Sequence, residues 1–371
     1  MSTVGVIAEF NPFHGGHGYL AAEARNMTGA DTVVAVMSGN FVQRGDPAVF
    51  DKRKRAISAI EGGYDLIIEL PAVFSCSSAG TFAKGGIDIL EGLGEIDYLA
   101  FGSESGDIER LKAAAFAIRK VEKEHSAEIK NLVAEGISYP AARQAAIELF
   151  YGDLDSELIN LPNNILALEY LLSLKSLKPV TVKREGKGHH ESATAIRQAI
   201  YLENGEAAKR AEERFFNLIR FSVLNKTSSE LEAIASAGEG LGNKLKNEIR
   251  YASSREDLID RLKSKRYTYT RISRLLTQTV LDIKKENISN AASYIKVLAF
   301  NERGASLIRR VRKSDKCRLP FIDSAARSIS RAPEIADTLS TDIRANDIYN
   351  LITGTDLYEM SEYVQKPINL G

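Results

Sequence analysis

The chain has 371 residues, 44% hydrophobic and 26% charged, with 49 basic and 49 acidic side chains and a formal net charge of zero. That composition belongs to folded globular proteins and excludes disordered, collagenous and disulfide-scaffold classes. At roughly 150 residues per domain, the length predicts two or three domains with cores of their own.

Two cysteines, Cys76 and Cys317, lie far apart in sequence and cannot make a disulfide framework or, alone, a four-ligand zinc site. A reducing cytoplasm is the expected compartment. The start, from Met1 to Phe10, lacks the basic and apolar regions of a signal peptide, and no run of about 18 apolar residues predicts a membrane span. The balanced charge is unevenly spread. Residues 51–110 carry eleven acidic and six basic side chains, residues 244–274 ten basic and four acidic, and residues 303–318 seven basic and one acidic. The asymmetry points to a polyanionic partner for the C-terminal part, against a bland reading as solvated helix faces.

Strands are predicted at Thr3–Glu9, Asp31–Met37, Tyr64–Leu70 and Ile96–Phe101, with helices at Gly16–Asn26, Asp51–Ile60 and Ser78–Leu90 between them. Near-continuous Val, Ile and Leu strands alternating with helices predict a doubly wound, parallel-sheet α/β domain. Helices dominate Ile108–Lys178 with a break at Ser138–Pro140, Pro179–Arg184 reads as a fifth strand, and Ser192 caps a helix to Leu202. Beyond, Glu206–Val223, Ser229–Ala237, Asn243–Ala252, Arg255–Lys263 and Tyr269–Lys285 read as helices, and strand signal returns only at Ile295–Phe300. The expected organisation is an α/β domain over 1–205 and a mostly helical, basic domain over 206–371.

Chemistry concentrates where the first strand ends. After Glu9, Asn11-Pro12 turns the chain and His14-Gly15-Gly16-His17 opens a helix. In doubly wound sheets ligands bind at this carboxyl edge. Glycines allow close approach to a phosphate, and the helix start attracts anions. Histidines three apart project to one side and supply donors for charge developing at an α-phosphate. Neither Gly-x-Gly-x-x-Gly nor the Walker pattern occurs.

These residues resemble the His-x-Gly-His signature of the nucleotidylyltransferase superfamily, and Ser192-Ala-Thr194-Ala-Ile-Arg197 resembles its second, phosphate-holding motif. Ser38-Gly-Asn-Phe-Val-Gln-Arg-Gly-Asp-Pro-Ala48, Asp65-Leu-Ile-Ile-Glu-Leu-Pro71, Phe101-Gly-Ser-Glu-Ser-Gly106 and Leu161-Pro-Asn-Asn-Ile-Leu-Ala167, taken in order, are similar to the tRNA(Met) cytidine acetate ligase family. The likeness is strong over residues 3 to about 202 and weaker beyond. It implies a Rossmann-like nucleotidylyltransferase domain in which His14 and His17 are catalytic. It also implies ATP binding by Ile7, Ala8, Glu9, Phe10, Asn11, Pro12, Phe13, His14, Gly15, Gly16, His17, Gly18, Tyr19 and Leu20, with Gly102, Asn163 and Arg184. Ser192, Thr194 and Arg197 would hold the phosphate tail, and Mg²⁺ is expected with ATP.

The implied reaction joins acetate to ATP as acetyl-adenylate and passes the acetyl group to the wobble cytidine of elongator tRNA(Met), giving N4-acetylcytidine. Arg266, Arg271 and Arg274, interleaved with tyrosines, and Arg309, Arg310 and Arg312 are the candidate RNA-binding residues. No obligate protein partner is evident. Gly15 and Leu20 stand where the family has Asn and His, and the loop holding His189, His190 and Glu191 is short; adjacent histidines in a loop rarely form a metal site alone. Two alternatives stay open: a small-molecule adenylyltransferase of cofactor biosynthesis, and a non-catalytic RNA-binding protein.

Overall fold

In the computed structural model, which describes residues 2–152, 158, 161–184 and 193–371, seven described strands form one sheet. They are β1 (Thr3–Ala8), β2 (Thr32–Ser38), β3 (Leu66–Leu70), β4 (Tyr98–Ser103), β5 (Lys178–Lys183), β6 (Val297–Phe300) and β7 (Ile368–Asn369). Their order across the sheet is β5-β4-β1-β2-β3-β6-β7, with β5 to β3 all parallel. β6 runs antiparallel to β3, and β7 parallel to β6. The chain winds outward from β1 in one direction through β2 and β3 and in the other through β4 and β5. The topological switch point therefore falls between β1 and β4.

Both faces of the sheet are covered, which is why the central strands read as unbroken apolar runs. On one face, Val4, Val6, Val33 and Ala35 meet Ala21 and Ala24 of helix α1 (Gly15–Thr28) and Ala56 and Ala59 of helix Lys52–Glu61. Small residues on those helices let them lie close. On the other face, Ile7, Val34, Val36 and Ile68 meet Phe82, Ala83, Ile87 and Leu90 of helix Ala79–Gly92, in a core that extends to helices Ile108–Glu124 and Pro162–Ser173.

The doubly wound parallel sheet followed by mostly helical chain is present as expected. β1 stops at Ala8, one residue short of the predicted end, because Phe10 takes φ 48° and turns the chain out of the strand direction, ahead of a cis Asn11–Pro12 peptide. The predicted helix Tyr269–Lys285 ends at Val280, where Asp282 takes φ 50°. Helix Ala193–Leu224 crosses residue 205 with only Gly205 non-helical. Helices Glu302–Lys313 and Pro333–Thr353 had no predicted counterpart.

The C-terminal chain also packs directly under the sheet's carboxyl edge. Lys52 and Lys296 lie between Glu69 at the end of β3 and Glu362, with Lys52–Glu69 at 2.6 Å, Lys296–Glu69 at 2.9 Å, Lys296–Glu362 at 2.7 Å, and Lys52 also paired to Glu362. All four side chains are buried. Burial pushes the Glu362 carboxyl up, but the ammonium groups of Lys296 and Lys52 outweigh it and hold it down to about 2.

Candidate active site at the carboxyl edge of the sheet

The His14–His17 loop lies where the topology predicts. His14 is the N-cap of α1: its Nδ1 accepts the Gly16 N–H at 3.1 Å, while the His14 N–H donates to Nδ1 of His17 at 3.2 Å. This is a capping box built from two imidazoles in place of the usual hydroxyl and carboxylate. The consequence is chemical. With Nδ1 of each ring accepting a backbone N–H, the proton of each neutral ring sits on Nε2.

The two rings stack at 3.8 Å between centroids, and Phe10 and Phe13 pack on His17 at 4.9 and 5.5 Å. Tyr64, buried under the loop, donates its hydroxyl to the His17 carbonyl at 3.1 Å. Burial, then His14, then Arg184, lower the His17 pKa to about 3, so its ring is neutral at any physiological pH. It acts as a fixed hydrogen-bond donor.

Other predicted residues converge on this loop. Arg197 donates to the Asn11 carbonyl at 2.9 Å and to the Thr194 hydroxyl at 3.0 Å, which ties the start of its helix to the histidine turn. Asn11 is buried, and its side chain accepts the Val49 N–H at 2.9 Å. Arg184 follows β5, is exposed, and has its N–H bonded to the Ser103 carbonyl at 3.0 Å. At Gly102 an added Cβ would touch only the Arg184 Cγ at 3.7 Å and the Val182 carbonyl at 4.0 Å. Among the described residues, room is thus left beside Gly102 for a ligand.

Within the stretch from Ile7 to Leu20 the surroundings divide. Ile7 packs against Gly86, and Phe10 and Pro12 are buried, so these residues support the loop from beneath. Gly15 is exposed at the helix start; at Gly16 a Cβ would press the His14 ring at 3.0 Å, and at Gly18 it would approach the Gly62 carbonyl at 3.2 Å. Ala8, Phe13, Tyr19 and Leu20 are half-buried around the turn. Asn163 occupies the first turn of helix Pro162–Ser173. Ser192, His189, His190 and Glu191 lie outside the described residues.

Two supports were not singled out from sequence. Arg55, fully buried in helix Lys52–Glu61, donates to the carbonyls of Glu9 (2.6 Å), Ser38 (3.1 Å), Gly39 and Phe50 (2.9 Å). It therefore clamps the ends of β1 and β2 together, where the strands stop and their carbonyls lack ladder partners. Asn164, also buried, accepts the Glu104 N–H at 3.1 Å and fixes the turn after β4. Neither role was signalled, since one of several cations in a basic helix start and the second of two asparagines in a motif are inconspicuous in one dimension.

The arginine clusters part company. Gly45, in the loop after β2, lies against the backbone of Arg274, and Arg271 pairs with Glu239 at 3.0 Å; Arg266 reaches the Ala134 carbonyl at 3.5 Å. Arg274 is thereby held at the same edge as the histidines. Arg310 instead bonds Thr3, the first residue of β1, at 3.0 Å and pairs with Glu95 at 3.0 Å, while Arg312 pairs with Asp323 at 2.6 Å and Arg309 is exposed. Arg310 therefore lies at the opposite edge from the histidine loop, about 20 Å away across six residues of strand;.

Fold and loop together define a nucleotidyl transferase of the HIGH type, and the HIGH Nucleotidyl Transferase family model matches residues 1–363. The chain is 34% identical over its full length to the tRNA(Met) cytidine acetate ligase of Clostridium novyi (strain NT), with 100% of both chains covered. It is 37% identical to that of Caldanaerobacter subterraneus subsp. tengcongensis, with 95% of each covered. Thermotoga maritima TmcAL bound with alpha-thio ATP superposes with a TM-score of 0.89 at 29% identity, covering 100% of both chains. This chain belongs to the tRNA(Met) cytidine acetate ligase family.

One prediction concerns Arg184. Replacement by alanine removes a charged donor from the open side of the site, and such donors contribute about 1.5–3 kcal/mol. ATP affinity should fall roughly 10- to 100-fold while tRNA affinity changes little, as read by calorimetry with each ligand; equal ATP affinity in both proteins removes Arg184 from the site.

Proposed function

We propose that the chain is an ATP-dependent ligase that activates acetate as acetyl-adenylate and acetylates the wobble cytidine of elongator tRNA(Met) to N4-acetylcytidine. The observation that carries the reading is the pair of neutral imidazoles whose Nε2–H groups are set by the capping box at the helix start. Full-length kinship with tRNA(Met) cytidine acetate ligases supports the substrate.

Acetate is ionised at neutral pH, so its attack on the α-phosphorus, with loss of pyrophosphate, requires positioning and charge stabilisation rather than a base. His14 and His17 donate to the α-phosphate and leaving group; Arg184 and Arg197 neutralise the triphosphate, with Thr194 beside Arg197;. Among the described residues no group of three or more His, Cys, Asp and Glu is placed to hold a metal ion. We take Mg²⁺ to arrive with the triphosphate, where it neutralises phosphate charge.

In this reading residues 1–205 carry adenylation and residues 206–371 the tRNA surface. No described helix is long and apolar enough to cross a membrane, and the proposed setting is the cytoplasm. Incubation with ATP, labelled acetate and total tRNA should place label in RNA. Label in a small-molecule product alone, or none at all, overturns the reading.

The RNA surface is separately testable. Arg274 lies at the reaction edge and Arg271 stands on the same helix, so charge reversal at Arg266 and Arg271 should lower tRNA affinity and acetyl transfer together. Arg309, Arg310 and Arg312 would meet the tRNA body, and reversal at Arg309 and Arg312 should lower affinity alone. Each lost phosphate contact reduces the slope of log affinity against log salt by about one. A set whose reversal leaves the slope unchanged is not RNA surface.

A further inference from the structure

The second half of the reaction requires a proton acceptor that the first does not. An exocyclic cytidine amine has its lone pair drawn into the ring, and its addition to an acyl carbon leaves a proton that must depart as the C–N bond forms. The histidines cannot take it. Each has Nδ1 occupied by a backbone N–H and a proton already on Nε2;.

Glu9 is the one carboxylate in the stretch from Ile7 to Leu20. It follows the last residue of β1, at the switch point, and its main-chain carbonyl is fixed by Arg55 at 2.6 Å. Its Oε1 accepts the Gln43 N–H at 2.7 Å, and among the described residues Oε2 has no partner. It immediately precedes Phe10, which packs against His17. Two further carboxylates at this edge are engaged, Asp46 with Arg255 at 2.6 Å and Glu69 with Lys52 and Lys296.

We infer that Glu9 is the general base of acetyl transfer, an inference that rests on the ligase reading above. The cytidine N4 attacks the acetyl carbon of acetyl-adenylate. The new N–C bond forms, the carbon–oxygen bond to the phosphate breaks with its electron pair leaving on AMP, and the amine proton passes to Glu9 Oε2 and then to water. The charged and titratable groups around Glu9 are Arg44 in the loop after β2, Arg55 on helix Lys52–Glu61, Arg197, Tyr170 on helix Pro162–Ser173, and Cys76. Burial raises the Glu9 pKa despite the Gln43 hydrogen bond and the three arginines, which improves it as a base near neutral pH;.

The test separates the half-reactions in the full-length protein. Acetate-dependent exchange of pyrophosphate into ATP reports adenylation, and single-turnover transfer from preformed acetyl-adenylate to tRNA reports the second step. Glu9→Gln keeps the shape and the oxygen that accepts from Gln43. The ratio of transfer to adenylation should fall about 10²- to 10⁴-fold, the usual contribution of general-base catalysis. Wild-type transfer should rise with pH through one ionisation above the ordinary carboxylate range, absent from the variant. Equal losses in both steps reduce Glu9 to part of the ATP pocket and overturn the proposal. So does pH-independent transfer in the wild type, which decides the matter even where the variant fails to fold. Absence of acetate-dependent exchange in the wild type would instead refute the ligase reading itself.

Discussion

His17→Gln and His14→Asn are each expected to lose about 10²- to 10³-fold in adenylation rate while retaining a wild-type fold. The choice of replacements follows from the capping box. Asparagine is a good N-cap and can accept the Gly16 N–H as His14 does; glutamine at the third helical position can accept the N-cap N–H as His17 does;. Both variants therefore keep the turn and remove only the Nε2–H donor. Alanine at either site would also remove a cap, which costs about 0.5–2 kcal/mol and confuses the two roles. Stopped-flow detection of pyrophosphate, with a urea titration alongside, reads both quantities.

The pH behaviour gives a second readout. His17 titrates near 6.5 when unfolded but at about 3 in the fold. Its neutral form is thus favoured natively, so the stability it contributes is present above about pH 6.5 and is lost as pH falls towards 3;. His17→Gln should flatten that part of the stability curve. The wild-type rate should show no His17 ionisation between about pH 5 and 9. Full activity in His17→Gln would remove the imidazole from the chemistry.

What one dimension revealed and what it hid has a physical basis. Strand periodicity and the loop after β1 were legible because they are local: apolar runs, a proline turn, and two histidines three residues apart. The tautomers were not legible, since they depend on which ring nitrogen meets which backbone N–H. Nor was Arg55 recognisable as a clamp on four carbonyls, because three of them end two different strands. Charge density alone could not tell the two arginine groups apart. Arg310 is drawn to Glu95 and Thr3 at the far edge of the sheet, whereas the stretch around Arg274 packs on Gly45 at the near one. β6 was sensed at Ile295–Phe300, but its antiparallel pairing with β3 follows from contacts more than two hundred residues apart in sequence.

The longest-range feature carries the other large effect. Lys296→Met should destabilise the protein by about 3–5 kcal/mol, because it leaves Glu69 and Glu362 buried with one ammonium between them;. Taking two opposite charges away together is a different matter: Lys296→Met with Glu362→Leu leaves a balanced Lys52–Glu69 pair and adds apolar volume. The double variant should then be more stable than Lys296→Met alone, with a coupling of about 1–3 kcal/mol in the double-mutant cycle. Simple additivity of the two losses would mean that the four charges act independently. The effect should reach the site as well. Lys52 starts the helix that carries Arg55, three residues on, and Arg55 holds the carbonyls of Glu9, Ser38 and Gly39. With Lys296 gone, Glu69 and Glu362 repel across Lys52 alone, which pulls on the helix start and lets that clamp drift, and ends of strands displaced by even about 1 Å misplace the histidine loop against a phosphate;. Lys296→Met should accordingly lose adenylation rate at temperatures where it is still folded, and the double variant should recover both stability and rate.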